Sequence, residues 1–151
     1  MVEHLYLSTQ GVWGITTQVT ATTVAIFIIF GTILMRSGAA DFFMKLSLLL
    51  AGRTTGGPAK VAVLSSTFFS VLSGSAPANV AVTGNITIPM MVKLNYNRNF
   101  AGAVEATAST GGQITPPIMG AGAFLIAEFV GIPYTEVVVA SIVPALLYYV
   151  S

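Results

Sequence analysis

Cysteine is absent, histidine occurs once, and charged residues make up only 7% of the 151 positions. The first absence excludes disulfides and thiolate-ligated metals or clusters. With His4 as the sole histidine, a transition-metal site lacks its usual ligands. The scarcity of charge is more informative. Soluble globular chains carry roughly 25% charged residues, whereas this one is 54% hydrophobic with a mean hydropathy of +0.84. So little charge cannot cover a water-facing surface, and the composition indicates an integral membrane protein. The net charge of +1 forms no basic stripe, so nucleic acid is not an expected partner. Met1–Gln18 carries Glu3 and lacks the basic start of a signal peptide, which fits an internal methionine of a longer protein.

What is present is a series of long apolar runs. Between Glu3 and Arg36 there is no formal charge, and residues 16–35 have about the 20 residues a spanning helix needs. The Thr-rich first half of that run is expected to pack on protein or lie near the interface. Residues 41–51 (DFFMKLSLLLA) are too short to span. Phe42, Phe43, Leu46, Leu49 and Leu50 recur at helical spacing there, as in a helix lying in the membrane interface.

The run 61–92 is charge-free and roughly 32 residues long, more than one straight span requires. Arg53 and Lys60 precede it; Lys93 and Arg98 follow it. Basic flanks favour the cytoplasmic side, so both ends are expected on one face, as in a re-entrant hairpin. Its arms would be about 61–72 and 80–91, with SGSAPAN at Ser73–Asn79 as the tip. The alternative is one overlong, tilted helix kinked at Pro77.

Residues 100–129 are again mostly apolar but carry GGQITPP in the middle. Two glycines and two prolines loosen the backbone there, so the reading is two half-helices around an unwound link. Gly102, Ala106 and Thr110 stand four apart, a stripe that would permit close helix approach. Residues 135–150 form a marginal last span, with Tyr148 and Tyr149 as interface anchors. The expected fold class is therefore all-α integral membrane.

A bilayer offers no water to an unpaired backbone amide, so broken membrane helices usually line a cavity. Oxygens freed at such breaks can hold a hard monovalent cation, and half-helix N-termini favour an anionic solute. In the first cluster Ser73, Ser75 and Asn79 offer side-chain oxygens, while Gly74 and Pro77 open the backbone. In the second, Thr110 and Thr115 offer hydroxyls and Gly111 and Gly112 expose carbonyls beside Pro116 and Pro117. Gln113 could orient a solute or an ion ligand. Any one of these serines or threonines is better explained by turns and packing; two clusters in consecutive segments reverse the balance toward a solute site. Glu105 is a candidate for proton or ion coupling, or else an interfacial partner of the Arg98 loop. No nucleophile–base pair or phosphate loop is visible, so an enzyme is not expected.

SGSAPANVAVTGNITIPMM followed by FAGAVEATASTGGQITPPIMGAGAFLIAEFVGIPY closely resembles the large membrane (DctM-type) subunit of tripartite ATP-independent periplasmic (TRAP) transporters. In particular it is similar to the fused permeases that work with TAXI-type binding proteins. The match covers nearly the whole chain, including GRTTGGPAKVAV and PALLYYV. The resemblance implies an elevator-type symporter in a bacterial or archaeal inner membrane, multi-pass, built from two inverted repeats that each hold a re-entrant hairpin and a broken helix. It implies a periplasmic solute-binding protein as partner, an organic-acid-like small molecule as cargo, Na⁺ or H⁺ as coupling ion, and no other cofactor. By position, Ser73, Gly74, Ser75 and Asn79 would fall at the hairpin tip. Thr110, Gly111, Gly112, Thr115 and Pro116 would fall at the helix break. Together these residues would form a cation site and one wall of the solute site. This chain holds one hairpin where the family has two, so the remaining half of the permease is an expected partner.

Two other readings stand beside this one. One is a Na⁺/dicarboxylate-type symporter of related fold that needs no binding protein. The other is an ion channel whose re-entrant segment is a selectivity loop, which would require symmetric copies of the hairpin.

Overall fold

A computed structural model describes residues 13–150 of the chain; His4 and Glu3 lie outside the described residues. All regular structure among those residues is helical. A first rod comprises α1 (Ile15–Val19), a π-helical turn (Thr20–Val24), α2 (Ala25–Leu34), a second π-helical turn (Met35–Ala39) and α3 (Ala40–Ala51). Gly38, at φ 91°, sets the angle between α2 and α3, a backbone conformation open to glycine at little cost. Among the described residues, Thr17–Ala51 is the one helix long and apolar enough to cross a membrane. Val19 and Val24 in its Thr-rich half pack on Phe124.

The centre of the fold is three mutually packed helices: α4 (Gly57–Ser73), α5 (Ala76–Lys93) and α6 (Arg98–Gly111). Pro58 and Pro77 sit in the first turns of α4 and α5, where proline forfeits no helix hydrogen bond. Between α4 and α5 the chain turns at Gly74–Ser75, with Gly74 left-handed and Ser75 extended. The arms are longer than composition suggests. Helix already begins within the GGPAK breaker, and α5 runs through Pro89 to Lys93. At 1.5 Å per residue each arm is roughly 26 Å long, against about 30 Å for a hydrocarbon core. Asn97 caps α6 by accepting from the Asn99 amide at 2.8 Å.

Beyond α6, residues 112–120 are non-helical; α7 (Ala121–Val130) and α8 (Tyr134–Val150) follow. Met119, Ala123, Ala127 and Val137 join α7 to α8. Tyr148 and Tyr149 donate to the Thr107 and Ala108 carbonyls at 2.8 and 3.3 Å and so tie α8 to α6.

Polar side chains share the interior with apolar ones such as Val61, Phe69 and Met91, and large apolar side chains cover much of the surface. Ser65, Ser66, Ser70, Asn79, Thr83, Thr87, Glu105 and Ser109 are buried, while Ile29, Ile33, Leu49, Leu146 and Leu147 are exposed. So apolar an exterior matches lipid or further membrane protein as its surroundings. Among the described residues the Gly102–Ala106–Thr110 stripe is left open: Ala106 and Thr110 are exposed, and a Cβ on Gly102 would meet nothing within 4 Å. Ala101, Glu105, Ala108 and Ser109 face inward instead.

Candidate functional site

The turn at Gly74–Ser75 lies against the non-helical segment that follows α6. A Cβ added to Gly74 would stand 2.5 Å from the Met119 carbonyl oxygen, so only glycine suits both its left-handed backbone and this approach. The segment 112–120 has its own internal support. Thr115 Oγ1 donates to the Gly111 carbonyl at 2.8 Å, and the Gly120 amide donates to the Gln113 carbonyl at 2.7 Å. The peptide between Pro116 and Pro117 is cis. Tyr134, stacked on Phe124 with ring centroids 4.4 Å apart, reaches the Ile118 carbonyl at 2.5 Å and the Pro117 carbonyl at 3.1 Å. The Gly111, Gln113, Pro117 and Ile118 carbonyls thus find partners within the protein.

Between tip and break lies a cleft of about 550 Å³. Gly74 and Ser75 form one side, Gln113 and Gly120–Gly122 another, and Met119, Ile126 and Val137 supply apolar surface. Two helices start at its edge, α5 at Ala76 and α7 at Ala121. First-turn amides have no intrahelical acceptor, and aligned peptide dipoles make each such end electropositive. The cleft therefore combines an apolar wall with two positive helix ends and the Gln113 amide.

A second polar assembly sits deeper, at the junction of α4, α5 and α6. Glu105 is fully buried. Its Oε1 accepts from Ser66 Oγ at 2.5 Å and from Thr83 Oγ1, and its Oε2 accepts from Thr87 Oγ1 at 2.5 Å. Asn79, equally buried, directs Nδ2 toward the Ser66 carbonyl (3.0 Å), Ser70 Oγ (2.5 Å) and Ser109 Oγ (2.8 Å). No buried side-chain polar atom among the described residues is left without a partner. Glu105 is thus an interior group bonded to hydroxyls, not an interfacial partner of the Arg98 loop. Sequence reasoning missed this assembly, although a signal existed. Ser66 and Ser70, Asn79, Thr83 and Thr87, and Glu105 and Ser109 each repeat at four-residue spacing in consecutive helices. Each set is a polar stripe on one helix face.

Family comparison matches residues 2–151 to "Tripartite ATP-independent periplasmic transporter, DctM component". The chain belongs to this DctM family. It is 35% identical over 98 residues to the C4-dicarboxylate TRAP transporter large permease protein DctM of Vibrio cholerae, covering 65% of this chain and 22% of that protein. It is 30% identical over 128 residues to the protein of the same name from Pseudomonas aeruginosa, covering 85% and 30% respectively. It is also 35% identical over 91 residues to the isethionate TRAP transporter permease protein DctMQ of Oleidesulfovibrio alaskensis, covering 60% and 14%. The chain thus spans less than a third of the length of these relatives. No solved structure matches it.

The nine residues singled out from the sequence do not form one cluster in this DctM chain. Gly74 and Ser75 line the cleft, and Ser73 Oγ lies 3.3 Å from the Ser75 amide beside it. Asn79 belongs to the deeper assembly. Thr110 is exposed and bonds back to the Ala106 carbonyl at 2.8 Å. Gly111 packs under Tyr148 and Tyr149, and Gly112 packs against Ser70. Thr115 and Pro116 are half-buried within the break and do not line the cleft. Gln113, Ile114 and Met119 do line it.

Proposed function

We propose that this chain forms part of the permease of a cation-coupled, binding-protein-dependent TRAP transporter that imports an organic-acid-like solute. The observation that carries the reading is the cleft between the α4–α5 turn and the α6–α7 break, with two helix N-termini at its edge. An anionic headgroup would meet the amides near Ala76 and Ala121, and a carbon skeleton would lie on Met119, Ile126 and Val137. The relatives' names fit that chemistry: C4-dicarboxylate, isethionate and 2,3-diketo-L-gulonate are all organic acids. Family membership supports a permease rather than an enzyme.

On this reading the α4–α5 pair is a re-entrant hairpin, and with α6 and α7 it makes up one inverted repeat of an elevator-type transport domain. The rest of the permease supplies the other repeat, in a bacterial or archaeal inner membrane. Carbonyls around Gly74 and residues 112–120 are the candidate ligands for Na⁺, and a TAXI-type periplasmic protein delivers the solute. The test is uptake by the assembled permease in proteoliposomes. Solute should accumulate only with both an inward cation gradient and the cognate binding protein. Accumulation with either one missing would remove this reading, and without the binding protein would favour a symporter that needs none.

A further inference from the structure

Glu105 is surrounded by donors but by no positive charge. The charged residues on the three helices that enclose it are Lys60 on α4, Lys93 on α5 and Arg98 on α6, all exposed. They lie six or seven residues from its contacts, roughly 9–10 Å along the helices. On the neighbouring elements, Asp41 and Lys45 of α3 and Glu128 of α7 are exposed, and the Tyr148 and Tyr149 hydroxyls of α8 reach the Thr107 and Ala108 carbonyls. An ionised carboxylate buried without a countercharge is costly, so such a group calls for a proton or a cation.

Two features favour the proton. The first is space: both carboxyl oxygens already touch hydroxyl oxygens, at 2.5 Å for Ser66 and for Thr87. A cation of calcium's size needs about 2.3–2.6 Å to every oxygen and would have to push these pairs apart. The cleft does not reach them, since none of Ser66, Thr83, Thr87, Glu105 and Ser109 lines it. The second is that the hydroxyls have alternatives. Thr83 Oγ1 also reaches the Asn79 carbonyl at 2.9 Å, and Thr87 Oγ1 the Thr83 carbonyl at 3.0 Å. A threonine hydrogen can point at the carboxylate or swing to its own helix carbonyl with no heavy atom moving. When it swings away, its oxygen is free to accept from a protonated carboxyl.

We propose that Glu105 is a reversible proton-binding site, enclosed by Ser66, Thr83 and Thr87 so that its carboxyl is hydrogen-bonded both with and without the proton. Binding takes one proton from solution and turns the assembly from one negative charge to neutral; release returns it. If the transport reading above also holds, the packed α4–α6 unit would move with one charge more or less according to that proton. The site itself rests on its own geometry and not on that reading.

The experiment is infrared difference spectroscopy of the assembled permease in lipid, in sodium-free buffer without solute or binding protein, cycled between acid and alkaline pH. A protonated-carboxyl carbonyl band should appear on acidification and vanish on return. It should be lost in Glu105→Gln and retained in Glu128→Gln. Thr87→Val, which keeps the carboxyl but removes the Oε2 partner, should shift the band's frequency. A band that does not change with pH, or survives Glu105→Gln, would overturn the proposal. So would a band that responds to added Na⁺ and not to pH, which would make the site a cation site. Loss of solute uptake with this titration intact would remove the solute reading and leave the proton site standing.

Discussion

Gly112→Ala should be among the most damaging single-methyl additions in this chain. A Cβ at that position would lie 1.7 Å from the Cβ and 2.5 Å from the Oγ of Ser70. Both Cβ positions are fixed by backbone, so no rotamer change relieves the clash and α4 must move away from the end of α6. Overpacking commonly costs about 1–3 kcal/mol, and the top of that range is expected where the obstacle is so rigid. Ser70 also accepts from Asn79 and donates to the Ser109 carbonyl at 3.2 Å, so separating the helices loosens the deeper assembly as well. The measurement is the midpoint of heat-induced loss of the monodisperse protein in detergent. The same clash predicts strong non-additivity: Ser70→Gly should recover much of the loss when combined with Gly112→Ala, although alone it removes two hydrogen bonds. A double variant no more stable than Gly112→Ala would refute the contact.

The second large effect is expected at Asn79, where the nearly isosteric Asn79→Asp should be at least as destabilising as Asn79→Ala. The amide nitrogen is the shared donor that ties α4, α5 and α6 together. In an ionised aspartate both terminal atoms are acceptors, and protonation restores only one donor in place of the amide's two. Ser70 and Ser109 can turn their hydrogens to meet an oxygen, but the Ser66 carbonyl at 3.0 Å cannot. The replacement also brings a second acid next to Glu105, with Thr83 Oγ1 within reach of both side chains. Losing a buried hydrogen-bond partner and facing two acceptors costs about 2–4 kcal/mol, more than the small cavity left by alanine adds. Thermal stability in detergent ranks the two variants; an Asn79→Asp protein close to the parent would show that this amide does not bear the assembly.

How much of this was legible in the sequence follows the range of each physical cause. The all-helical class followed from composition, and the interruptions at SGSAPAN and GGQITPP from glycine and proline chemistry, because those causes are local. Family membership rested on the same motifs. Which face of α6 turns to α4 and α5 could not be read from residue size. Gly102, Ala106 and Thr110 are small enough for a helix contact, yet within the described residues the contact is made by Ala101, Glu105, Ala108 and Ser109. Small size permits close approach on either face. The choice was made by polar stripes on α4 and α5, which need Glu105 and Ser109 as partners. Those stripes can be read from the sequence only when the three segments are considered together. The contact of Tyr148 and Tyr149 with α6 was out of reach for the same reason: an aromatic near a helix end suits the lipid interface, and only the fold shows that carbonyls of a neighbouring helix lie within reach. Likewise, cleft-lining Gln113 and Met119 could not be separated from Thr110 and Gly112 until the path of the unwound segment was known.

On the proposed function, the cleft between tip and break holds the solute. Its most direct test is the alkylation rate of Ser75→Cys in the assembled permease, with Val143→Cys on the exposed face of α8 as control. The solutes offered are a C4-dicarboxylate, isethionate and 2,3-diketo-L-gulonate, each with and without Na⁺. The account predicts that any of these that is transported slows alkylation at Ser75→Cys and leaves Val143→Cys unchanged. A solute that is transported yet leaves the Ser75→Cys rate untouched would contradict it.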